Sequence, residues 1–371
     1  MEWVDPVEAA IHLERVRAWM AEAGAPALVV RRLANVAWLT GGCDRAVSWA
    51  AELSAVTIVV TQSVCAAITP DYEYDRVVSE DLAGLDWPML PYPWEDEEAY
   101  ARHIRQLCEG EEPWSDSGGA RAPAVESALR ELRIVLSARE IERYIRLGKD
   151  TADIVQACGF DVQSGQRERD IARDLTMALL ERDIMQATVL VGADERGRSV
   201  RHPLPTDAQV RRVALLAVAA RRGGLWVSCT RMVSFGRLTH DERRAHQTVL
   251  AADAAYIEGS ATQPTLGGVF RQGMAVYQAR GYANGYRQHH QGGITGYAAR
   301  EARATADAPQ RLQAPMAFAW NPWLEGMKSE DTIITRPSAA PLIITAAPGW
   351  PQMPLQTPLS YISERPAILE R

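Results

Sequence analysis

The chain of 371 residues has no unbroken apolar run of the roughly 18 residues that a membrane helix needs. Its first residues, MEWVDPVEAA, lack the charged start and apolar stretch of an export leader. These absences point to a cytoplasmic protein with no membrane partner. Cysteine is sparse: Cys43, Cys65, Cys108, Cys158 and Cys229 are odd in number and scattered, and no CxxC occurs. A disulfide framework and a cysteine-held zinc are therefore excluded as organising features. Excess positive charge is also missing. With 40 Lys and Arg against 47 Asp and Glu, the net charge is −7, which argues against a nucleic-acid partner. No internal repeat stands out.

What is present is ordinary for a globular enzyme, 47% apolar and 23% charged, and the length suits two domains. Residues 7–23 carry apolar positions at helical spacing, with Gly24 where a C-cap belongs. PALVV (residues 26–30), AVTIVV (55–60) and VCAAIT (64–69) read as strands, and NVAWLTGG ends in a turn. Residues 99–109 read as a helix. This is a small α/β domain, followed by a Gly-, Pro- and Ser-rich linker, GEEPWSDSGGARAPA (110–124). The first domain is thus expected over 1–124 and a second over 125–371.

Ser137 with Glu140, and Thr239 with Glu242, have capping-box spacing at the starts of two long helices. Further helices are expected over 168–181 and 269–280. Strands ATVLVGA, VALLAVAA and GLWVSCTRMVSF lie between them, and MAFAWNP, DTIIT and PLIIT close the chain. That order predicts an α+β domain with helices on one face of antiparallel sheet.

Of seven histidines, His12, His103, His240 and His246 sit at helical or cap positions among charged neighbours and read as surface residues. His202 lies in a proline-bracketed loop, RHPLP, the kind of segment that holds a reactive group on a rigid frame. His289 and His290 precede a Gly-Gly pair that permits close approach of a backbone or ligand. Cys229 lies beside Ser228 on a strand, where alternation turns one of the two inward, but no base neighbours it. Lys328 and Asp331 read as local surface pairs.

Together these segments resemble the creatinase/aminopeptidase P family, whose second domain has the pita-bread fold. SAREIERYIRLGKDTADIV (137–155) is similar to the family's opening helix and SGQRERDIARDL (164–175) to its second. VRAWMAEAGAPALVVRRLANVAWLTGG (16–42) is similar to its N-terminal domain. The resemblance implies a small α/β domain followed by a pita-bread α+β domain, and a homodimer in which Arg45 reaches a partner's pocket. In metal-bearing relatives two Asp, one His and two Glu hold two metals. Here those positions fall on Ala217, Ser228, His290 (or His289 after a one-residue slip), Asn321 and Glu330. Only His290 and Glu330 are of the expected type. Hard cations need carboxylate oxygens, so no metal and no cofactor is expected.

The resemblance then implies chemistry of the family's metal-free members, which cleave carbon–nitrogen bonds of small guanidino, amidine or amide substrates. His202 would be the acid–base group, its ordinary pKa near ~6.5 suiting proton transfer at neutral pH. His290 would orient water or stabilise charge. Glu330 would hold a cationic group or shuttle a proton if burial raised its pKa. His289, Arg231, Asn321, Trp320 and Tyr297 would line the substrate, with Trp323 beside them. Two rival readings remain: a noncatalytic binding module, and a metallopeptidase whose ligands are displaced onto Asp194, Glu195, Glu301 or Asp331.

Overall fold

The computed structural model describes residues 4–371, residues 186 and 187 by backbone alone, and separates into two compact units. The first runs to Arg139 and includes Gly223–Leu225. The second comprises Glu140–Arg222 and Trp226–Arg371.

In the first unit, β1 (Leu28–Arg32), β2 (Leu53–Val60), β3 (Cys65–Pro70), β4 (Met89–Tyr92) and β5 (Trp114–Ser115) form one sheet in the order β4-β3-β2-β1-β5. The central pairs are antiparallel, and β4 and β5 join the edges in parallel. Apolar runs fill the central strands, and Val29, Ile58, Val59 and Ile68 are buried. The helix Pro6–Ala23 starts on Asp5, whose carboxylate accepts from the Val7 and Glu8 N–H groups, and stops at Gly24 with φ 70°. NVAWL belongs to a further helix, Leu33–Leu39.

Residues 110–124 are not a tether. Trp114–Ser115 pairs with β1, and the helix Ala122–Arg133 buries Val125 and Leu129. The polar residues there flank an edge strand, so the first unit extends past the boundary that composition suggests at 124.

The second unit carries two main sheets. β6 (Met185–Ala193), β7 (Val213–Arg222) and β8 (Leu225–Ser234) run in sequence, with Leu369–Glu370 added in parallel to β8. The second sheet contains β9 (Gly292–Thr295), β10 (Ala302–Arg303) and β11 (Ala317–Trp320). After a hairpin of β12 (Trp323–Leu324) and β13 (Met327–Lys328) come β14 (Asp331–Arg336) and β15 (Ala339–Ile343). Its order is β10-β9-β11-β14-β15, antiparallel throughout. The helix His240–Thr262 opens with the expected Thr239–Glu242 capping box. Helix Leu266–Ala279 packs against it so closely that a Cβ on Gly273 would enter the Tyr256 ring. The α+β class holds. Among the described residues no helix is long and apolar enough to cross a membrane.

Candidate active site

Sheet register assembles the site. Gly292 and Asp331 both stand opposite Trp320, so the start of β9, the end of β11 and the start of β14 meet at one end of the sheet. The residues just outside those ends, His290, Asn321 and Glu330, are therefore neighbours although up to 40 positions apart. A lone bridge between Thr230 and Glu330 ties β8 to the same place. Gly292, at φ 114°, supplies the close approach: a Cβ there would collide with the Ala319 carbonyl. Gln291 anchors the turn, donating from Nε2 to the His289 carbonyl at 2.7 Å and accepting from the Tyr277 hydroxyl at 3.0 Å.

Three histidines converge here. His202, from the loop before β7, places Nε2 3.4 Å from Nε2 of buried His289, and the His290 ring stacks on His289 at 4.2 Å. Burial and the Lys328 ammonium hold His202 below the ordinary histidine value against the pull of Glu330. Burial, then Lys328, brings His289 to about 3. Burial, then Arg300, brings His290 to about 4. All three imidazoles are neutral at pH 7.

Glu330 is enclosed by donors. Its Oε2 accepts from Lys328 Nζ at 2.7 Å and from the Thr230 hydroxyl at 2.6 Å, while Arg300 lies 3.5 Å from Oε1. Burial pushes its pKa up, but Lys328 and Arg300 outweigh this and bring it to about 2. Glu330 is a fixed anion at neutral pH, which removes the proton-shuttle role expected of it if burial prevailed. Lys328 and Asp331 are likewise not surface groups. Both are buried, and Asp331 joins Arg231 at 3.1 Å and Arg365 at 2.7 Å.

A dinuclear metal centre does not fit these residues. Ala217 offers no donor. Ser228 presents a neutral hydroxyl and Asn321 a neutral amide. Glu330 is already neutralised by a protein cation. The possible substitute acids are committed elsewhere. Asp194 accepts from the N–H groups of Arg211, Arg212 and Val213, and Glu301 accepts from those of Tyr297 and Ala298. Glu195 lies 3.9 Å from Arg198 with its side chain 81% exposed.

The structure places the other residues expected to touch substrate as follows. Trp320 is fully buried, stacked on Tyr256 at 4.6 Å and donating to the Ser260 hydroxyl. Arg231 donates from its two terminal nitrogens to Asp331 and to the Thr230 and Thr345 carbonyls. Tyr297 is buried, its hydroxyl accepting from Arg143 at 2.9 Å. Asn321 is buried, and its Oδ1 has no partner among the described residues. Arg45 belongs to the first unit, where it pairs with Glu80 at 2.7 Å. Cys229 is buried, which pushes its thiol up to about 12. His12 and His246 are buried too: His12 bonds the Trp38 carbonyl, and burial brings His246 to about 4.

Sequence reasoning missed Lys328 and Arg300 as partners of Glu330. A signal existed: in KSEDT, residues 328 and 330 share one side of extended chain.

Comparison with solved structures supports the fold. Dipeptidase PepE from Mycobacterium ulcerans is 20% identical with TM-score 0.76, covering 93% of this chain and 97% of its own. The Xaa-Pro dipeptidase from Bacillus anthracis is 16% identical with TM-score 0.74, covering 92% and 98%. The N-terminal domain of FACT complex subunit SPT16 from Cicer arietinum is 13% identical with TM-score 0.69, covering 92% and 95%. No curated protein sequence matches. The creatinase/prolidase N-terminal domain matches residues 12–132, and metallopeptidase family M24 matches residues 142–337, more than half the chain. The chain belongs to metallopeptidase family M24.

Proposed function

We propose that this M24 member is a metal-independent enzyme that cleaves a C–N bond of a small nitrogen-containing substrate by histidine acid–base chemistry. The observation that carries the reading is the Lys328–Glu330 pair at 2.7 Å, which puts an ammonium group on the last acid of the family's metal-binding pattern. In this reading neutral His202 takes a proton from water, whose oxygen adds to the substrate carbon. As the C–N bond breaks, the same proton passes to the leaving nitrogen. His290 orients the water, and His289 fixes the His202 ring. Lys328 and Arg300 face the carbon's oxygen or another electron-rich group.

The charge inventory refines the substrate. Two cations stand against Glu330, so binding a guanidinium on that carboxylate would require displacing Lys328. Neutral amide or ureido compounds, and those bearing a carboxylate, fit better than cationic amidines. A cytoplasmic homodimer, with Arg45 closing a partner's pocket, belongs to the same proposal.

The test is amine or ammonia release by the full chain, after exhaustive chelation, from a panel of small amides, ureido, amidine and guanidino compounds and Xaa-Pro dipeptides. Turnover of an amide or ureido compound that survives chelation is expected. Activity on Xaa-Pro dipeptides that needs added Mn²⁺ would overturn the reading in favour of a peptidase, which the similarity to the Bacillus anthracis enzyme supports. Absence of turnover throughout would overturn it in favour of a binding module, which the filled acid site also supports.

A further inference from the structure

The three histidines share a geometry that proton transfer does not require. His202 and His289 point their Nε2 atoms at each other across 3.4 Å, and a ligand nitrogen from each of His202, His289 and His290 lies within 4.8 Å of the others. A tetrahedral zinc with Zn–N bonds near 2.0–2.1 Å spaces its nitrogen ligands about 3.3 Å apart. The His202–His289 pair is already at that spacing. His290 is partly exposed, so its ring can turn to close the remaining gap.

From this geometry we propose that His202, His289 and His290 form a binding site for one Zn²⁺-like ion, which shares one histidine position with the family's two-metal pattern and differs from it in its other ligands and in stoichiometry. Donor chemistry sets the class of ion. Three imidazoles without a free carboxylate suit borderline metals such as Zn²⁺, Co²⁺, Ni²⁺ and Cu²⁺. They suit Mn²⁺ and Mg²⁺ poorly, since those ions favour oxygen. Glu330 does not supply the missing carboxylate because Lys328 and Thr230 hold it. His202 is exposed, so water or a substrate atom would complete the tetrahedron as the fourth ligand.

The site uses the residues of the proposed reaction without depending on that reaction. An imidazole whose lone pair binds metal cannot accept a proton, so ion and water activation exclude each other at His202. Bound zinc is therefore an inhibitor, and chelation leaves the acid–base site open.

Co²⁺ and Zn²⁺ titrations of the chelator-treated full chain test the proposal, read by the visible absorption of Co²⁺ and by calorimetry. The expected result is one equivalent per chain, with the intense spectrum of four-coordinate Co²⁺ displaced by Zn²⁺. His202→Ala and His289→Gln should each weaken binding beyond the roughly 10–100-fold typical of losing a supporting residue. His240→Ala, remote and exposed, should leave it unchanged. His202 is exposed, so its replacement spares the fold and keeps the test decisive even if the His289 variant fails to fold. No saturable binding, or binding that His202→Ala leaves intact, would overturn the site. Either result leaves the proposed reaction standing, whereas a requirement for the ion in turnover would overturn that reaction and not the site.

Discussion

Replacing Lys328 by Met keeps most of the stem and removes the charge that balances Glu330. In the native protein Glu330 has a pKa of about 2, against 4.5 for the free side chain. By linkage, that difference corresponds to about 3 kcal/mol of stability at neutral pH. The folded value is depressed, so this contribution is complete above the unfolded pKa and is lost as pH falls from about 4.5 through 2. In Lys328→Met the principal counter-charge is gone, leaving Arg300 at 3.5 Å and the Thr230 hydroxyl. Burial then dominates and drives the Glu330 pKa upward.

Stability at pH 7.5 should fall by about 2–4 kcal/mol, near the low end for breaking a buried pair because Arg300 remains. At ~2–4 °C per kcal/mol for a unit of this size, Tm should drop by roughly 4–16 °C. The same variant should lose Glu330's share of the acid-side stability slope between pH 5 and 3. Lys328→Met/Glu330→Gln should recover most of the loss, giving a large coupling term in a double-mutant cycle. Thermal and urea unfolding at pH 7.5 and 4 provide the assay. A single variant as stable as the parent, with an unchanged pH slope, would refute the argument that Lys328 is the built-in cation.

Two further outcomes follow from the same groups. Arg365 bridges buried Asp253 and Asp331 at 2.5 and 2.7 Å, so Arg365→Met should cost about 3–5 kcal/mol in urea unfolding by leaving two carboxylates poorly compensated. The His202 proton resonance should titrate below the usual ~6.5 and move upward in Lys328→Met, because the ammonium group helps hold it down.

The fold was legible wherever burial follows a simple period. Apolar runs gave the strands of both units, and the Thr239–Glu242 spacing gave its helix start because a capping box is local chemistry. Residues 110–124 misled because an edge strand two residues long carries no periodic signal, and its Gly and Pro mimic a tether. His12 and His246 were unreadable as buried groups. Charged neighbours on a helix say nothing about which face an individual position takes. The site was half legible. The resemblance pointed to His202, His290 and Glu330, and sheet register does bring the segment ends of His290 and Glu330 together. It could not show that Trp320, Arg231 and Tyr297 turn into the interior, since that depends on contacts far apart in sequence. Lys328 was mistaken for a surface residue because lysine is rarely buried, and only the enclosed carboxylate beside it makes burial tolerable.

Lys328, a protein cation, pairs with the last acid of the family's metal-binding pattern. Equilibrium Mn²⁺ binding to the 371-residue chain at neutral pH, followed by electron paramagnetic resonance, shows whether that pairing excludes metal. No spin-coupled manganese pair and no tight stoichiometric uptake are expected, because Glu330 is held by Lys328 and Ala217, Ser228 and Asn321 stand at the companion acid positions. Two tightly bound, coupled Mn²⁺ ions per chain would contradict this expectation.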